Sequence, residues 1–184
     1  MNTLVLKKVA KILNKLGCIW GVGGSTLLNQ YNLVKTPKDI DILIDSKDEE
    51  IIKSEMNKIG KIINIKNKDE FKSDTFFRYE VEGVIVEFIG GFKIVCEDKV
   101  YEVLFDEKSI VSSVFKDNIK INLMSLEDWF VIYDVMNDPK DRIPLILDYF
   151  KENKVKHKFI LVRNLSLKIP DRIKNNIELL LSTY

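Results

Sequence analysis

The chain has 184 residues, 46% of them apolar and 31% charged, with 29 basic against 28 acidic residues and a net charge of +1. That length suits one domain, or one domain with a small helical appendage, and the even charge balance argues against a broadly basic nucleic-acid-binding surface. Two distant cysteines, Cys18 and Cys96, and a single histidine, His157, do not supply a disulfide scaffold or a zinc site.

Leu4, Val5, Val9, Ile12, Leu13 and Leu16 recur at helical spacing and predict a helix over the first sixteen residues, ended by Gly17 as a C-cap glycine. This segment lacks the unbroken apolar stretch of a signal peptide, and no apolar run nears the roughly 20 residues of a membrane span. A cytoplasmic protein with no membrane contact is expected. A strand over 18–22 runs into Gly23-Gly24-Ser25. A short helix over 25–31 follows, with Leu27 and Leu28 inward, then a loop over 32–38 containing Pro37, and a strand over 39–45. A polar helix is predicted over 47–58, with Gly60 after its end, and a strand over 62–65. Residues 75–92 read as a hairpin: Phe76, Phe77, Tyr79 and Val81 lead to Glu82-Gly83, residues 84–89 return, and Gly90-Gly91 close the strand. Residues 93–105 predict extended, partly irregular structure around Glu97-Asp98, and 120–123 a last short strand.

After residue 124 the pattern turns helical. Ser125 is an N-cap followed by the acids Glu127 and Asp128, with Trp129, Ile132, Tyr133 and Met136 at helical spacing. Asn137-Asp138-Pro139 breaks that helix. Further helices are predicted over 140–153, 155–164 and 170–181, the last beginning at Pro170. Strands in the first two-thirds and helices in the last third predict an α+β fold, with residues 1–124 as a core domain and 125–184 as a helical region packed on it.

Side chains at i and i+2 on a strand share a face, so Asp39 and Asp41 stand side by side in an otherwise apolar run. Two adjacent carboxylates suit a magnesium ion, which takes oxygen ligands from one or two carboxylates and substrate phosphates. The pair can hold one metal and share a second. The bland alternative is a solvated strand face. Gly23 and Gly24 permit a turn that brings backbone N–H groups close to a ligand, and Ser25 opens a helix whose first turn favours phosphate. The alternative there is an ordinary serine-capped turn. Glu87 is the lone acid in the apolar strand 84–89, and either faces the same site as a third carboxylate or lies at a solvated sheet edge. Lys140 or Arg142 could reach phosphates or a base, or solvate a helix end. Phosphoryl or nucleotidyl transfer is the leading reading.

Gly23-Gly24-Ser25, the long spacer to Asp39-Ile40-Asp41, and the later single acid Glu87 together resemble the nucleotidyltransferase superfamily related to DNA polymerase beta, and in particular its small, aminoglycoside-nucleotidyltransferase-like branch. The stretch from Leu126 to Leu147, with Lys140-Asp141-Arg142, is similar to the helical tail of the small members. Thr26-Leu27-Leu28-Asn29 departs from the Arg-Asp pair usual after the glycines of tRNA CCA-adding members, and the chain lacks the length for their helical domains, which disfavours nucleic acid as acceptor. The third acid, often aspartate in the superfamily, would be Glu87.

The resemblance implies a mixed sheet with flanking helices. It implies that Asp39, Asp41 and Glu87 are the catalytic and metal-binding residues for two Mg²⁺ ions, and that Gly23, Gly24, Ser25 and Lys140 bind a nucleoside triphosphate donor such as ATP. The reaction implied is transfer of a nucleoside monophosphate to an acceptor hydroxyl, with a small-molecule acceptor favoured, and release of pyrophosphate. The alternatives are an antitoxin-type enzyme that adds AMP to a protein partner, and a nucleotide-binding module without catalysis.

Overall fold

The computed structural model of the chain describes residues 2–64 and 69–184. Helix α1 (Asn2–Leu16) buries Val5, Leu6, Val9, Ala10 and Leu13 and stops at Gly17, whose φ of +70° is the left-handed conformation that ends a helix at little cost for glycine. β1 (Trp20–Val22), α2 (Gly24–Gln30) and β2 (Asp39–Ile44) follow. After β2 come a short 3₁₀ turn, Ser46–Asp48, then α3 (Glu49–Met56) and β3 (Lys61–Ile63). Of the strand predicted over 62–65, Asn64 lies past the end of β3 and Ile65 lies outside the described residues.

The hairpin of β4 (Thr75–Val81) and β5 (Val84–Gly90) turns at Glu82-Gly83, both with positive φ, the two-residue loop whose twist matches paired strands. β6 (Lys93–Cys96) and β7 (Lys99–Glu102) form a small separate hairpin around Glu97-Asp98. β8 (Ile110–Lys116) and β9 (Ile119–Met124) form another, turning at Asp117-Asn118.

Seven strands make one mixed sheet in the order β3-β4-β5-β2-β1-β9-β8. β2 is central, antiparallel to β1 and parallel to β5. Its alternate residues Ile40, Ile42 and Ile44, with Phe77, Tyr79, Val86 and Phe88 from the neighbouring strands, are buried on one face. Phe77 stacks on Phe88 with centroids 4.9 Å apart, and the Tyr79 hydroxyl donates to Asn57 Oδ1 at 2.7 Å, just past the end of α3. The opposite face of β2 presents Asp39 and Asp41.

The C-terminal part is built on α4 (Leu126–Val135), every residue of which is buried. A helix apolar on most sides is an interior helix. Its three acids do not contradict that, because each meets a different later element. Glu127 accepts the backbone N–H groups of Lys156 and His157, at 3.2 and 2.9 Å. Asp128 accepts from Arg163 and Asn164 of α6 (Lys158–Leu165). Asp134 accepts from Arg172 and Asn176 of α7 (Asp171–Thr183). The Tyr101 hydroxyl donates to Asn164 at 2.6 Å, joining the small hairpin to the same network. Burial pushes the Asp128 carboxyl up to about 6, against the pull of Arg163, Asn164 and Ser125.

Several expected boundaries shift for local reasons. The helix predicted over 140–153 is α5 (Ile143–Asn153): the Asp138 carboxylate accepts both the Arg142 and Ile143 N–H groups, and Asp141 has a φ of +52°, so Lys140, Asp141 and Arg142 belong to the turn before it. α6 starts at Lys158 rather than 155 because Glu127 claims the amides just before it. Pro170, with ψ of 148°, caps α7 from outside instead of opening it. β8 falls where no strand was expected.

Replacing Asp128 by alanine removes the buried acceptor that Arg163 and Asn164 share, and we expect a loss of about 3 kcal/mol in urea unfolding. Asp148→Ala, which breaks only the exposed pair with Lys151, should change stability by less than about 0.5 kcal/mol.

Candidate active site

The site grows from strand pairing. Asp41 of β2 is the cross-strand partner of Glu87 on β5, and Glu87 is in turn the partner of Arg78 on β4. The three side chains therefore form one row across the sheet, with Asp39 beside Asp41 on the same face. Glu87 faces the site rather than a solvated edge, since the strand is flanked by β2 and β4.

The glycine turn is clipped to the same strand. The Gly23 N–H donates to the Asp41 carbonyl at 2.9 Å, and the Thr26 hydroxyl donates to the Asp39 carbonyl at 2.9 Å. Gly24 has a φ of +54°, and a Cβ built on it would overlap the Asp41 carboxylate. A Cβ on Gly23 would overlap the ring of Trp129. Both glycines are thus required by close approach, Gly24 by its backbone as well. Ser25 sits in the first turn of α2, half-buried, with no hydrogen bond from its hydroxyl to another described residue.

Crowding of like charge marks the site. Asp41 keeps some exposed surface but is enclosed by protein atoms, and burial, then the neighbouring charges of Asp39 and Glu87, push its carboxyl up to about 8 from an ordinary 3.8; Lys140 and Arg78 pull the other way. Burial raises Glu87 too; the Arg78 charge offsets part of that rise, and the charge of Asp39 adds to it. Burial, with Asp41 next in effect, raises the Tyr133 hydroxyl from its ordinary 10. Lys140 is exposed in the turn before α5, close enough for its charge to act on both Asp41 and Glu87.

The structure thus gathers Asp39, Asp41, Glu87, Gly23, Gly24 and Lys140 in one region and sets Ser25 one residue beyond the glycines. A cluster of oxygen donors suits a hard divalent cation, and Asp39 and Asp41 are the two that share a face and a strand. Among the described residues no three His, Cys, Asp or Glu side chains converge on one point as a metal-binding group. Glu87 instead lies against Arg78, with Nε to Oε1 at 2.6 Å. No local sequence pattern marks Arg78, although the Glu82-Gly83 turn pairs Val81 with Val84 and so, counting back, Arg78 with Glu87. Tyr133 and Trp129, ring centroids 5.3 Å apart, are core residues beside the site. Arg142 has a buried Nε with no hydrogen-bond partner among the described residues.

No family model matches the chain, and no curated protein matches it. Solved structures do. A Thermotoga maritima protein proposed to be a nucleotidyltransferase superposes with a TM-score of 0.60 at 19% identity, covering 83% of this chain and 94% of that one. ANT(2″)-Ia, solved in complex with adenylyl-2″-tobramycin, gives 0.55 at 12% identity, covering 95% and 97%. The lincosamide antibiotic adenylyltransferase LnuA, solved with lincomycin, gives 0.50 at 11%, covering 79% and 92%. The chain has the fold of these nucleotidyltransferases.

Because Asp41 holds a proton when folded over a range where it is ionised when unfolded, its contribution to stability is greatest below about pH 4 and is lost as pH rises through 8. Asp41→Asn should therefore leave metal-free protein unchanged near pH 4. Above pH 8 it should stabilise by about 1–2 kcal/mol, roughly 3–6 °C, allowing for the partial exposure of the site. Calorimetric melting in EDTA across that pH range measures it.

Proposed function

We propose that this protein transfers a nucleoside monophosphate from a nucleoside triphosphate to an acceptor hydroxyl, releasing pyrophosphate, with a small molecule as the acceptor. The observation that carries the reading is the row of carboxylates that the sheet holds beside a glycine turn: Asp39 and Asp41 on one strand, Glu87 on the next, and Gly24 bare beneath Asp41. The chemistry of the structural neighbours, two of which are antibiotic adenylyltransferases or carry an adenylylated antibiotic, supports the same class of reaction.

Asp39 and Asp41 would hold magnesium, with Glu87 completing the set. Bound magnesium would neutralise phosphate charge and favour attack on the α-phosphorus. The chain's own part is placement and charge. The turn at Gly23 and Gly24 brings backbone close to a phosphate, and the Ser25 hydroxyl is free to donate to a phosphate oxygen. Lys140, whose charge reaches Asp41 and Glu87, offsets charge on the triphosphate. Glu87 orients the acceptor hydroxyl and receives its proton, a task suited to a carboxyl whose proton affinity burial has raised.

Pyrophosphate release from ATP, GTP, CTP and UTP with Mg²⁺ and a panel of hydroxyl-bearing antibiotics tests this. Wild type should turn over with at least one pair, and Asp39→Ala or Asp41→Ala should lower the rate by about 10²–10³-fold or more. Binding of a triphosphate with no release for any acceptor would make the protein a non-catalytic nucleotide-binding module. Label from the triphosphate appearing on a partner protein would change the acceptor class.

A further inference from the structure

We infer that Arg78 is a built-in counter-cation for Glu87 that competes with a metal ion for its carboxylate, so that Glu87 joins the site only when Arg78 is displaced. This rests on the reading of Asp39, Asp41 and Glu87 as a metal-binding set and adds a residue that controls it.

The placement is dictated by the hairpin. The Glu82-Gly83 turn sets the register of β4 on β5, and that register puts Arg78 directly opposite Glu87, on the same row as Asp41. The pair is sheltered, with 24% of the arginine side chain and 14% of the glutamate side chain exposed. The guanidinium also lies over the Phe76 ring, 4.9 Å from its centroid, a second favourable contact.

The contact neutralises charge but is poorly directed. Nε approaches Oε1 to 2.6 Å, yet it makes no aligned hydrogen bond with any described residue. A well-made arginine–carboxylate pair uses two parallel N–H bonds. An ion pair lacking that geometry is one a stronger cation can break. With Glu87 turned to Arg78, Asp39 and Asp41 are left without a third carboxylate, consistent with the absence of a converged metal-binding group among the described residues. A cross-strand pair with only a structural role would stabilise the hairpin and leave metal affinity untouched.

The test is Mn²⁺ binding by the full chain without nucleotide, read by water-proton relaxation. Arg78→Gln should bind Mn²⁺ about tenfold tighter than wild type. That gain should vanish in Arg78→Gln/Glu87→Gln, and Arg78→Lys, which keeps the charge, should stay within about twofold of wild type. Should Arg78→Gln fail to fold, Arg78→Met keeps an unbranched stem over Phe76 and carries the same expectation. Binding no tighter than wild type in the neutral variants, with Asp39→Ala still abolishing it, would overturn the inference and leave the carboxylate site standing. Absence of Mn²⁺ binding in every protein would remove the metal site and the inference with it.

Discussion

The constraint on which the rest of the structure depends is the register of three neighbouring strands. β2 and β5 run parallel, with Asp41 beside Glu87, and β4 returns antiparallel with Arg78 in the same row. Like charges in adjacent positions on a sheet repel, and burial makes the repulsion stronger. The sheet tolerates this because its other face is a continuous apolar layer. Ile40, Ile42, Val86, Phe88, Phe77 and Tyr79 are all buried there. A slip of one residue would exchange the two faces, placing the acids in the core and the isoleucines in water. The apolar face therefore enforces the register, and the register concentrates the charge.

The C-terminal helices do more than extend the fold. α4 is wholly buried, and its acids hold three later segments through Lys156–His157, Arg163 and Arg172. On the side toward the sheet, its Trp129 lies against Gly23 and its Tyr133 lies near Asp41. The turn that ends α4 carries Lys140. The helix whose acids organise the tail thus also positions the glycine turn and one cation of the candidate site, so the tail and the site are mechanically one unit.

Much of this was legible from residues alone. Alternating apolar positions around Asp39 and Asp41 required a strand with both acids on one face, and Gly17, Ser125 and Glu82-Gly83 each performed the punctuation their chemistry suggests. Glu87, a lone acid among apolar neighbours, reads as facing something other than the core, and it does. What was missed depended on pairing across distance. β8 is an edge strand, half-exposed, with two serines at its centre, so its pattern does not alternate cleanly. The start of α5 depends on a carboxylate that captures two amides, and the start of α6 on Glu127, nearly thirty residues earlier in the chain. Arg78 stands among aromatic residues in a strand, and its local pattern gives no sign of a partner. Only the hairpin register shows that it meets Glu87.

The central claim is that the Asp39–Asp41 face and the Gly23–Ser25 turn form one site for a metal-bound triphosphate. The most direct measurement is a crystal structure with Mn²⁺ and a non-hydrolysable triphosphate, located by anomalous scattering from the metal. The account predicts a manganese peak between the Asp39 and Asp41 carboxylates, with the triphosphate running over the Gly23-Gly24-Ser25 turn. Manganese and nucleotide bound elsewhere on the chain, with that face occupied only by water, would contradict it.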